Sequence, residues 1–154
     1  MRGTGTMAGV LGAVLLALGL ASCSVFQAGG GDAGGGIDVA GAEAIGDDVG
    51  DIACSAVMLE YPAERPTVET VVTQGRALLE TPDLQLAAIN LLIEEAIGDP
   101  KARALVGLGV RRFVRRMQRA GVDVGAGVIA PDSPAAAGLG ALFDACELAL
   151  GAPA

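Results

Sequence analysis

Three times along the chain a helix-capping side chain stands directly before a proline: Thr81-Pro82, Asp99-Pro100 and Ser133-Pro134. The cap oxygen accepts a first-turn backbone N–H, and proline brings a preset φ and lacks only an N–H that would go unused there. Each pair predicts a helix start. Around them apolar residues recur at spacings of three and four, with no long stretch of period-two alternation. The pattern predicts an all-α fold, a small bundle of about five helices.

The first helix is expected from about residue 42 to 61, where Pro62 ends it. Ile45, Val49, Ile52, Ala53, Ala56 and Val57 share one arc, and Asp47, Asp48, Asp51 and Ser55 the other. A second helix, capped by Thr67 and reaching Glu80, carries Val68, Val71, Val72, Leu78 and Leu79, with Gly75 on the same stripe offering close packing. The third runs from Pro82 to about Ile97 with Leu84, Ala87, Ala88, Leu91, Leu92 and Ile97 inward, and Gly98 stops it. The fourth runs from Pro100 to Ala120 and stops at Gly121, its inward face being Val106, Val110, Phe113, Val114 and Met117. Leu105 and Leu108 suggest that its first half is buried on both sides. After a glycine-rich loop at 121–132, the last helix runs to about Leu150 and turns Leu139, Leu142, Phe143, Cys146 and Leu150 inward.

The start of the chain has a different character. Arg2 precedes an apolar run of 15 residues at 7–21, and the small residues Ala21 and Ser22 then precede Cys23, which is the plan of a secretory signal. As a helix the run covers about 22 Å against a hydrocarbon core of about 30 Å, too short for a permanent span. Leu20, Ala21, Ser22 and Cys23 resemble the lipobox of bacterial lipoproteins at all four positions. The resemblance implies that the Cys23 thiol receives a diacylglyceryl group, that a peptidase cuts before it, and that the new amine is acylated. Covalent diacylglycerol and N-acyl lipid then stand where a cofactor would, each buried methylene contributing about 0.8 kcal/mol of membrane affinity. Membrane lipid becomes a partner through Cys23. The alternatives are an ordinary cleaved signal with an incidental cysteine, or an uncleaved apolar helix.

Ser24 follows the cysteine; in the enterobacterial lipoproteins that the motif resembles, Asp at this place retains the protein in the inner membrane, so the resemblance implies the periplasmic side of the outer membrane in a Gram-negative host. The segment Ala-Gly-Gly-Gly-Asp-Ala-Gly-Gly-Gly at 28–36 is a composition that buries no apolar surface, so it reads as a tether. A phosphate-cradling loop would need a preceding strand and usually a lysine. The expected organisation is a signal peptide at 1–22, a lipidated N-terminus and tether at 23–36, and a helical domain at 37–154.

Formal charge is −8 and becomes −9 once Arg2 is removed, which argues against nucleic acid as a partner. With no Trp, one Tyr and three Phe, the core is aliphatic and shallow, so a covalent constraint is useful. Cys54 and Cys146 are the thiols left beside Cys23, and in an oxidising compartment they predict a disulfide; the alternative is two buried thiols acting as small apolar residues. No metal site is expected, because the chain has no His and two thiols cannot close a zinc site.

On the fourth helix Arg111, Arg112, Arg115, Arg116 and Arg119 cover an arc of about 140°, which could dock anionic headgroups, an acidic envelope protein or an anionic polymer. The plainer reading is a solvated face paired with Glu80, Glu94, Glu95 or the acids at 47, 48 and 51. No catalytic residues are expected: Glu94 and Glu95 are the best carboxylate pair, and helix neighbours point about 100° apart. The functional expectation is a membrane-anchored, non-enzymatic lipoprotein whose helical domain binds or scaffolds an envelope component; the alternative is a small-molecule-binding lipoprotein of the periplasm.

Overall fold

The computed structural model describes residues 36–125 and 127–151. The signal, the lipobox and nearly all of the tether lie outside the described residues. Within them the protein is all-helical as expected, with α1 at Val39–Glu60, a 3-10 turn at Pro62–Glu64, α2 at Arg65–Leu79, α3 at Leu86–Ala96, α4 at Pro100–Arg119 and α5 at Pro134–Gly151.

Two proline starts hold. Asp99 Oδ1 accepts the N–H groups of Lys101 and Ala102 at 2.8 and 2.9 Å, and Ser133 Oγ accepts that of Ala136 at 3.2 Å. α4 ends where expected, with Gly121 taking a φ of 85° that a side chain would strain. The third start fails. Residues 81–85 do not wind into helix; Leu84 is buried, its carbonyl accepts the Ile129 N–H at 2.7 Å, and Gln85 bridges Val128. That pairing with the loop before α5 delays α3 to Leu86. The stripe turns with it: Ile89 and Ile93 enter the core, whereas Ala87 and Leu91 face out.

α2 also starts earlier than its expected cap, at Arg65, and Thr67 lies inside the helix with its hydroxyl donating to the Glu64 carbonyl at 2.8 Å. Asp38 caps α1 by accepting the Gly41 N–H at 2.8 Å, ahead of the expected start at 42.

α5 is the centre of the bundle. It is alanine- and glycine-rich, and it is buried nearly all round, exposing chiefly Asp144, Glu147 and Leu148. α1 lies parallel to it. Gly46 faces Gly138 and Leu142, Gly50 faces Leu142 and Ala145, and Cys54 meets Cys146, so positions rise together along both helices. The glycines remove the side chains that would hold the backbones apart. The buried stripe of α1 is therefore Ala42, Gly46, Val49, Gly50, Cys54 and Val57, while Ile52 is left 44 % exposed, contrary to the arc read from hydropathy. Gly75 does let α2 approach closely, against the Phe143 ring.

α4 runs antiparallel to α1, with Gly109 against Ala53 and Arg116 beside Asp48. Phe113 and Met117 are fully buried on its inner face. Leu108 is 51 % exposed, so the first half of α4 is not buried on both sides. No helix among the described residues is long and apolar enough to cross a membrane.

Candidate functional site: the cationic face of α4

α4 contains Lys101, Arg103, Arg111, Arg112, Arg115, Arg116 and Arg119, seven cations, and no acidic residue. The chain's charge of −8 is thus +7 on this helix and −15 everywhere else. Arg103 turns back onto the preceding turn, donating from Nε to the Ile97 carbonyl at 3.0 Å and from Nη2 to that of Gly98 at 3.3 Å. Arg116 pairs with Asp48 of α1. Arg111, Arg112, Arg115 and Arg119 are exposed and make no ion pair among the described residues. The pairing expected from sequence is met at one arginine, by Asp48, while Glu80, Glu94 and Glu95 pair with none of the five.

At about 100° per residue the exposed face is centred on Leu108, with Lys101, Arg112, Arg115 and Arg119 within about 40° of it on either side. Leu108, Arg112, Arg115, Arg116 and Arg119 border a shallow open groove of about 420 Å³. Leu108, expected in the core, is exposed, and Lys101 joins the face although it lies ten residues before the arginine run. The i, i+7 spacing of Lys101, Leu108 and Arg115 is the signal that places all three on one face.

Cys54 and Cys146 stand at disulfide distance, Cα to Cα 5.2 Å, and both are buried. Beside them is an apolar cavity of about 30 Å³ between α1, α2, α3, α4 and α5. A second, of about 70 Å³, opens between Val49 and Ile52 of α1 and Leu105 and Leu108 of α4. An open groove of about 530 Å³ runs along α2 and α5, crossed by Arg76, which pairs with Asp144 and, at 2.5 Å, with Glu147. Glu94 and Glu95 are both exposed on α3 and make no ion pair among the described residues. Among the described residues no three of His, Cys, Asp and Glu cluster as metal ligands.

No protein-family model, no curated protein and no solved structure matches the chain.

Proposed function

We propose that the protein is a bacterial lipoprotein, anchored through lipid on Cys23, whose helical domain is not an enzyme and binds or scaffolds a component of the cell envelope. The observation that carries this reading is the Leu20-Ala21-Ser22-Cys23 sequence at the end of an apolar run. Two structural features support it. A cysteine pair at disulfide distance suits an oxidising compartment such as the periplasm. The apolar cavities of about 30 and 70 Å³ fall far short of the roughly 300–1,000 Å³ of ligand pockets, and the spaces of that size, about 420 and 530 Å³, are open surface grooves, which favours an exposed face over an interior pocket as the working surface.

The test is metabolic labelling with a fatty acid, followed by membrane fractionation and mass analysis of the mature N-terminus. The wild type is expected to carry lipid on Cys23 and to sediment with membranes, and Cys23→Ala to lose the label. An unlabelled, fully soluble wild-type protein overturns the anchor.

A further inference from the structure

We propose that the cationic face of α4 docks on the anionic headgroups of the membrane that carries the anchor, so that the domain lies on the bilayer with α4 against it. The inference rests on the lipid-anchor reading above and names the partner of the exposed face.

Charge complementarity is the first argument. Every cation of α4 except Arg103 projects from one side of a helix that has no acid, within a chain that is otherwise −15. Such segregation leaves a local positive field on an acidic protein. The neighbouring acids do not cancel it. Asp48 neutralises Arg116, and Asp51, Asp47 and Glu43 stand about 60°, 100° and 140° round α1 from it, on the side away from the Ala53 contact with α4. Phosphate headgroups are the anions at a lipid surface, and each nearby arginine is attracted over about one Debye length.

The second argument is apolar. Leu108 stands exposed in the middle of the arginines, and exposed Ile52 of α1 shares the small apolar recess beside it. Aliphatic side chains ringed by arginines suit the boundary between headgroups and acyl chains, where the cations reach phosphate and the aliphatics leave water.

The third is reach. Cys23 and Gly36 are 13 residues apart, a separation of at most about 45 Å when fully extended. α1 begins at Val39, and Asp48, which contacts Arg116, is about 14 Å further along the helix. The arginine end of α4 thus lies at the end of the bundle where the described chain begins. Tethering at this length supplies the bilayer at high effective concentration, so weak attraction per arginine suffices.

The experiment is arginine footprinting with phenylglyoxal, read by mass spectrometry, on the mature protein in vesicles. Phosphatidylcholine alone is compared with phosphatidylcholine containing one-third phosphatidylglycerol. Arg111, Arg112, Arg115 and Arg119 are expected to react about fivefold more slowly on the anionic vesicles, with the protection lost in high salt, while Arg65 and Arg76 report no change. Equal reactivity on both vesicles overturns the proposal. Protection seen only in whole envelopes, and not on phosphatidylglycerol, also overturns it and assigns the face to an acidic protein or polymer.

If mass analysis finds Cys23 unlipidated, the anchor reading fails by itself. Co-sedimentation with the same vesicles then reads docking directly: retention on phosphatidylglycerol that Arg112→Gln, Arg115→Gln and Arg119→Gln together abolish keeps the proposal, and no retention ends it.

Discussion

Gly46 and Gly50 decide how close α1 comes to α5. A Cβ at Gly46 would stand 2.9 Å from the Gly138 carbonyl carbon and from the Leu142 nitrogen, and one at Gly50 would stand 3.0 Å from the Ala145 Cβ. The obstacle at Gly46 is backbone, which cannot rotate aside. Alanine would gain about 0.5–1 kcal/mol of helix propensity, but overpacking at a fixed interface costs about 1–3 kcal/mol or more. Gly46→Ala is therefore expected to be destabilising by about 1–2 kcal/mol net, read as a lower urea midpoint. Gly98→Ala is the control, since a Cβ there meets nothing within 4 Å, and its midpoint should move by no more than about 0.5 kcal/mol equivalent. A Gly46→Ala protein as stable as the wild type would mean that the helices are not in close contact there. The same residues explain a misreading of the sequence. Hydropathy gives glycine no weight, so it places the inward arc of α1 through Ile52, whereas the buried arc runs through Gly46 and Gly50. What faces a neighbour at short distance is chosen by size, and a pattern of apolar side chains does not record size.

At the level of elements, the sequence was most legible where a cap carries its own hydrogen bonds. Asp99 and Ser133 satisfy backbone donors within three residues, so nothing distant is needed to start α4 or α5. Asp99→Ala is expected to cost about 0.5–2 kcal/mol, with Asp99→Asn retaining most of the stability, because the amide oxygen can accept the same bonds. Equal midpoints for Asp99→Ala and wild type would remove the cap from the account. Thr81-Pro82 has the same local signal and loses to a tertiary one. The Leu84 side chain is buried and its carbonyl is taken by Ile129, from a loop more than forty residues later. Replacing Ile129 with proline deletes that donor, strains the loop and removes a buried core side chain, and is expected to cost about 2–5 kcal/mol. Ile129→Ala, which loses the buried side chain but keeps the N–H, would separate core loss from hydrogen-bond loss. The arginine face was legible as a face, since its members share a helix. Asp48 stands among the acids expected to pair with it, and the choice of Asp48 for Arg116 over the other candidates depends on the antiparallel register of α1 and α4.

For the molecule as a whole, one cysteine pair at disulfide distance stands between its two most intimately packed helices. Cys54 and Cys146 are separated by 92 residues, and the loop that a bond between them closes spans α2, α3 and α4. In the chain-entropy model a closure of that length stabilises the fold by about 4–5 kcal/mol. A domain of this size has a total of about 5–15 kcal/mol, so the bond would account for a large share. A largely aliphatic core whose aromatic rings are Phe113 and Phe143 leaves few large side chains to replace that contribution. Reduction is therefore expected to lower the urea midpoint by about 2–4 M, and Cys54→Ala with Cys146→Ala should match the reduced wild type to within about 1 kcal/mol. The comparison separates two sources of stability: the alanines leave the close α1 and α5 contact at Gly46 and Gly50 intact, so any fold that survives is held by packing alone. Reduction of unaltered protein should also add the mass of two hydrogens. If both cysteines of the unreduced mature protein alkylate and the midpoint ignores reductant, the pair is buried thiol, and the glycine contact alone must hold α1 to α5.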